Sequence, residues 1–301
     1  TATATEAVRD DIVRALGLRD PFVLTTGFDR PNLYFAVERP PSKPNALLRL
    51  LAARTGKSGI VYCATRKTVD DVCDMLLAKG LPATRYHAGL CAEERQRNQE
   101  DFLYDVKPIM VATNAFGMGI DRSNVSFVIH YNMPKNMESY YQEAGRAGRD
   151  GEPADCILLY SGQDVHTAEF LIEHSHEAGD SSVDPETRQA LIEWDRDRLR
   201  QMTFYATTDE CLRRYILRYF GEQAPVSCGH CGNCDTVFEQ VDATVDAQKI
   251  LSCVYRMAER GLHFGRRMAA AVLVGSQSEQ IKKFRLDTLS TYGIMRGTSM
   301  A

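Results

Sequence analysis

Gly59-Ile-Val-Tyr-Cys63 runs directly into Ala64-Thr-Arg-Lys67, and Val69, Val72, Met75 and Leu76 then recur at helical spacing across residues 66–79. The first segment reads as a short strand, the second as a strand-to-helix turn, the third as an amphipathic helix. The same unit repeats outward. Residues 81–86 read as a strand, 92–104 as a helix, and 109–112 and 125–129 as strands. Residues 137–144 then read as a helix and 156–160 as a strand. Strands alternating with helices predict an α/β fold, a parallel sheet covered on both faces. Ligands of such sheets bind outside the carboxyl ends of the strands.

A chain of 301 residues is ample for a core and suggests two or three domains. Its 44% hydrophobic and 25% charged residues are those of an ordinary soluble protein. No apolar run approaches bilayer length, and the opening Thr-Ala-Thr-Ala-Thr5 lacks the basic and apolar regions of a signal peptide. The net charge of −4 does not announce a nucleic-acid binder, so any such surface must be a local patch.

Phosphate chemistry concentrates at Gln142-Glu-Ala-Gly-Arg-Ala-Gly-Arg-Asp-Gly151. Glycines bare the backbone to a charged ligand, and Arg146 and Arg149 offer forked cationic donors. Thr65 is a candidate N-cap, and the helix terminus beside it, with Arg66, forms a second phosphate site. Thr113, Asn114, Gly119 and Asp121 lie in the Gly-rich turn Val111-Ala-Thr-Asn-Ala-Phe-Gly-Met-Gly-Ile-Asp121. There a carboxylate at Asp121 is placed to accept from a ribose hydroxyl or hold an arginine. Gly56-Lys57-Ser58 is not a P-loop, because Leu51 stands where that loop needs its first glycine.

Nine cysteines, an odd number, with no secretory signal argue for metal ligation in a reducing compartment. Cys228-Gly-His-Cys231-Gly-Asn-Cys234 supplies three thiols at a repeated two-residue gap, and Cys211 is the candidate fourth ligand. The preceding Thr207-Thr-Asp-Glu210 reads as a capping box that sets Cys211 in a helix's first turn. Four thiolates read as structural Zn²⁺, with an iron–sulfur cluster or disulfides as alternatives and His230 as a bystander. Cys73 and Cys156 lie in apolar patterns and read as core; Cys63, Cys91 and Cys253 have no ligand-like spacing either. Arg213, Arg214 and Arg218 fall opposite the next helix's apolar stripe, facing either DNA or solvent.

These motifs resemble superfamily 2 helicases, and the Ala-Gly-Arg-Ala-Gly-Arg-Asp-Gly, Ala-Phe-Gly-Met-Gly-Ile-Asp and Tyr86-His87-Ala-Gly-Leu90 wording resembles the RecQ family. The resemblance covers nearly the whole chain. It implies a RecA-like second lobe over residues 1–180, a helical zinc-binding module over 181–240 and a partial winged helix over 241–301. The first RecA-like lobe, with its P-loop, would be absent. It further implies an ATP-dependent 3′–5′ DNA helicase of repair and recombination. Arg149 would be the arginine finger, Arg146 the γ-phosphate contact, and Gln142, Gly119 and Asp121 further nucleotide contacts. Thr65, Arg66, His87, Thr113 and Asn114 would bind DNA. ATP, Mg²⁺, single-stranded and duplex DNA, and single-strand-binding protein and other repair factors are the implied ligands and partners, and a bacterial cytoplasm, at the nucleoid, the implied place. A non-catalytic zinc and winged-helix DNA-binding fragment, or another superfamily 2 (RNA) helicase, stays open as an alternative.

Overall fold

A computed structural model describes residues 6–24, 27–117, 122–177, 184–238 and 242–297. It divides into two compact units, Thr1–Val237 and Phe238–Ala301.

The first unit is built on six parallel strands: β1 (Leu33–Glu38), β2 (Gly59–Tyr62), β3 (Ala83–Tyr86), β4 (Ile109–Ala112), β5 (Phe127–His130) and β6 (Ala154–Leu159), in the order β1-β6-β5-β2-β4-β3. Its helices are α1 (Glu6–Ala15), α2 (Lys43–Ala52), α3 (Arg66–Ala78), α4 (Ala92–Leu103), α5 (Met137–Ala144), α6 (Gly162–Glu177), α7 (Pro185–Thr207), α8 (Leu212–Tyr219) and the single turn α9 (Gly232–Asp235). The period-two alternation of strand side chains splits the core in two. Val61, Val111, Ile129 and Ile157 face one way, onto α2 and α3. Ile60, Met110, Val128 and Cys156 face the other, onto α4, α5, α7 and α8. The expected α/β sheet is therefore present, with one strand that the pattern reading passed over. That strand is β1, an edge strand in register with β6, which buries Leu33 and Phe35 on one face.

The residues expected to form the zinc module share the second of these cores with the lobe. Tyr205, Leu212, Tyr215, Ile216 and Cys231 pack in one cluster with Phe35, Tyr140 and Cys156. Cys73 and Cys156 are buried, as expected, and so are Cys63 and Cys253.

The second unit holds α10 (Thr244–Glu259), α11 (Arg266–Leu273) and α12 (Glu279–Lys283), followed by a 3₁₀ turn at Leu286–Thr288. Cys253, Met257, Val272, Leu273 and Ile281 form its own core. Lys282 and Lys283 lie on α12, and Arg285 stands at the turn behind it.

Gly59 marks the tightest point of the sheet. It pairs with Ile109 on one side and Phe127 on the other, and a Cβ there would overlap the Phe127 ring. Phe127 is 1% exposed and has nowhere to move. Gly59→Ala should therefore cost about 1–3 kcal/mol through overpacking. Chemical denaturation would show it as a lower midpoint, and an unchanged midpoint would contradict this packing.

Candidate nucleotide, nucleic-acid and metal sites

The arginine-bearing loop follows α5. Asn136 caps α5, its side chain accepting from Ser139 N (2.8 Å), and Gly145 N closes the helix by donating to Tyr141 O (2.8 Å). Beyond it the backbone turns through Gly148, whose φ of +55° suits glycine. Arg146 Nη1 donates to Gly117 O (2.6 Å). Gly117, at φ +139°, lies so close that a Cβ would overlap the guanidinium. The loop after α5 and the loop after β4 thus form one locked pair. Arg149 is exposed beyond this lock, and Gln142 is exposed on α5 one turn before Arg146. Gly119 and Asp121 lie outside the described residues.

Arg122, which sequence reasoning did not single out, anchors the far end of that second loop. Its buried guanidinium donates to Ser58 Oγ (2.7 Å), Asn124 Oδ1 (2.8 Å), Phe102 O and Asp105. The hydrogen bond from Ser58, then that from Arg122, draws the Asp105 carboxyl below its ordinary value.

The residues expected to meet nucleic acid lie at the carboxyl ends of β2, β3 and β4. Thr65 caps α3, its Oγ1 accepting from Thr68 N (3.1 Å), and Arg66 is exposed at the first helical position. Thr113 is buried and donates its N–H to Tyr86 O (3.2 Å), which leaves Asn114 exposed. His87 is turned inward at 4% exposure. Its Nε2 meets Asp70 Oδ1 (3.1 Å) and its Nδ1 accepts from Gly89 N (3.1 Å), so the ring holds its own turn. A cavity of about 320 Å³ opens beside Ala64 and Asn114, with Asn132, Lys135 and Glu143 in its wall. Lys43, whose ammonium burial draws below its ordinary value, is paired with Asp164 at its base (2.6 Å).

The four cysteines converge. The Sγ atoms of Cys211, Cys228, Cys231 and Cys234 all lie within 4.8 Å of one another. Cys228 and Cys234 are 3.9 Å apart, as are Cys231 and Cys211. A tetrahedral Zn–S site with bonds of about 2.3 Å sets its sulfurs about 3.8 Å apart, so the donor set fits Zn²⁺. Local donors favour thiolate: Arg214 N and His230 N each lie 3.4 Å from a sulfur, those of Cys211 and Cys228. Burial pushes the Cys228 thiol up to about 12. At Cys234 burial is outweighed by hydrogen bonds, first from Ser227 and Cys231, and the thiol falls to about 6. Metal binding to such a cluster releases protons, because the ligating form is the thiolate.

The expected capping box does not form. Helix α7 continues through Thr207, whose Oγ1 bonds back to Thr203 O (2.8 Å), and Cys211 itself is the N-cap of α8. Arg213 also departs from the sequence reading. It is 6% exposed, and it faces neither DNA nor solvent but the chain at residues 29–33. The knuckle docks on the sheet edge: Cys231 bridges Phe35, and Tyr34 Oη donates to Asp235 Oδ2 (2.9 Å). Burial, then that carboxylate, pushes the Tyr34 hydroxyl up to about 12.

Comparison with known proteins agrees with this layout. Three family models match in order: the helicase conserved C-terminal domain at residues 42–151, RecQ zinc-binding at 162–235 and the RQC domain at 237–301. The ATP-dependent DNA helicase RecQ of Bacillus subtilis is 45% identical over 300 residues, covering 100% of this chain and 48% of that protein. Its counterparts of Pasteurella multocida and Haemophilus influenzae are 38% and 39% identical over 299 residues, covering 99% of this chain and 45% and 46% of those proteins. The chain thus spans about half the length of the curated relatives it matches. With a RecA-like lobe, a four-cysteine zinc site inside the matched zinc-binding segment and an RQC segment in that order, the chain belongs to the RecQ helicase family.

Proposed function

We propose that this chain is the second half of an ATP-driven 3′–5′ DNA helicase. The lock between Arg146 and Gly117 carries the reading. It joins a loop suited to phosphate to a loop that begins with the residues expected on DNA, so a nucleotide-dependent shift of one must reach the other. ATP with Mg²⁺, bound between this lobe and the first RecA-like lobe, would supply the phosphoryl group and the metal charge. Arg149, exposed beyond the lock, approaches that phosphoryl group and stabilises the charge spread over its oxygens. Arg146 and Gln142 fix the γ-phosphate side, and Gly119 and Asp121 complete the nucleotide contacts. Thr65, Arg66, Thr113 and Asn114 grip the strand backbone, a contact indifferent to sequence and weakened by salt. His87 holds the turn behind them.

The zinc site is closed, so its work is structural. Because the knuckle bridges β1 and shares the lobe's core, metal loss should reach beyond the cysteine-bearing segment into the lobe. Among the described residues, no helix is long and apolar enough to cross a membrane.

Two outcomes are expected. In the full-length protein, Arg149→Ala should lower DNA-stimulated ATP hydrolysis by about 10³-fold or more. Wild-type turnover in that variant would remove Arg149 from the site, and stimulation by RNA in place of DNA would change the substrate. Chelating the metal should raise protease cleavage within residues 221–236 and speed amide exchange along β1. Unchanged protection at both places would refute the structural role of the metal.

A further inference from the structure

Residues 28–33 form no helix or strand before Leu33, yet they are clasped from two sides. On one side lies the arginine loop. Arg30 Nη1 donates to Gly145 O (2.7 Å), and its Nη2 donates to Ala147 O (2.9 Å) and Gly148 O (2.6 Å). Asn32 Nδ2 adds a second donor to Gly148 O (2.9 Å) and one to Glu152 O (2.9 Å). Every carbonyl Arg30 takes belongs to the loop that carries Arg146 and Arg149.

On the other side lies the zinc-module helix α8. Arg213 donates to Asp29 Oδ1 (2.7 Å), Arg30 O (2.7 Å) and Leu33 O, so the residue that holds the loop is itself held. Glu222 Oε1 accepts from Phe28 N (2.7 Å). The Phe28 ring stacks on Phe220 (4.4 Å, 10°) and meets Tyr141 of α5 edge-on (5.8 Å), while Tyr141 Oη donates to Phe28 O (2.6 Å).

We infer that Arg30 is a positioning residue for ATP hydrolysis: it shapes the 145–148 turn so that Arg149 is presented at the right place, and Arg213 transmits the rigidity of the zinc-bound helix to it. This rests on the function proposed above. The reason is geometric. The turn beyond α5 presents the carbonyls of Gly145, Ala147 and Gly148 to one side, and a fork of guanidinium donors fixes all three at once. A loop whose carbonyls are pinned cannot drift, and a drift of about 1 Å in a catalytic group can cost about 10²-fold in rate. Lysine, a point donor, cannot span three carbonyls.

The test is a mutant cycle in the full-length protein, reading kcat and KM for DNA-stimulated ATP hydrolysis. The variants are Arg30→Ala, Arg30→Lys, Arg149→Ala and the doubles of each Arg30 variant with Arg149→Ala. Arg30→Ala should lower kcat by about 10²-fold at unchanged KM, with Arg30→Lys in between. Each double should be no slower than Arg149→Ala alone, since a misplaced arginine and a missing one fail at the same step. A merely structural role would instead reduce the active fraction, and its loss would multiply with that of Arg149→Ala. Multiplying losses, or full kcat in Arg30→Ala, would overturn the inference. If Arg30→Ala does not fold, the Arg30→Lys arm of the cycle distinguishes the same two outcomes. Wild-type turnover in Arg149→Ala would be a different failure: it would remove the functional reading and leave Arg30 nothing to position.

Discussion

Backbone polar groups that are withdrawn from water must find partners, and residues 28–32 form no helix or strand of their own. Side chains supply much of what is missing: Glu222 accepts from Phe28 N and Tyr141 donates to Phe28 O. Arg213 reaches in from α8 to the carbonyls of Arg30 and Leu33, and Arg30 reaches out to those of Gly145, Ala147 and Gly148. The segment therefore ties α8 to the arginine loop. The sheet begins where the segment ends, the arginine loop is shaped by it, and the zinc module is joined to the lobe through it. A buried guanidinium that lost its acceptors would be costly, so the arrangement is held as a unit.

The metal site belongs to the same set of contacts. A knuckle of three cysteines has little core of its own, and four thiolates around one ion supply the cross-link that packing does not. What the knuckle then covers is the open edge of the sheet at β1, where Cys231 meets Phe35 and Gly232 lies against Ala36 so closely that a Cβ would touch it at 3.2 Å. An uncovered edge strand invites pairing with other chains, so the zinc module also shields the lobe.

Much of this was legible in the amino-acid order. Strands β2, β4, β5 and β6 carry apolar runs, as buried parallel strands do, and α3 and α5 carry clear helical periodicity. The cysteine spacing marked three of the four converging cysteines, and Cys211 stood as the candidate fourth. The tie between α8 and the arginine loop was not legible. Arg213 finds Asp29 across 184 positions and Arg30 finds Gly145 across 115, and no local pattern marks such pairs. Arg213 therefore read as a surface charge. The misplaced capping box has a different cause: Thr207 and Thr208 are both competent caps, and only the packing of α7 decides that the helix runs on past the first of them. His87 read as a ligand contact because its segment resembles a signature, whereas the fold engages both its nitrogens with Asp70 and Gly89.

The central claim is that the phosphate-facing and DNA-facing loops move as one piece through the contact of Arg146 with Gly117. Its most direct test is the affinity of the full-length protein for single-stranded DNA, by fluorescence anisotropy, with and without a non-hydrolysable ATP analogue. Coupled sites must change each other's affinity by equal factors. The analogue should shift the DNA dissociation constant by about 5-fold or more, and DNA should shift the analogue's by the same factor. Affinities that ignore each other in both directions would contradict the coupling.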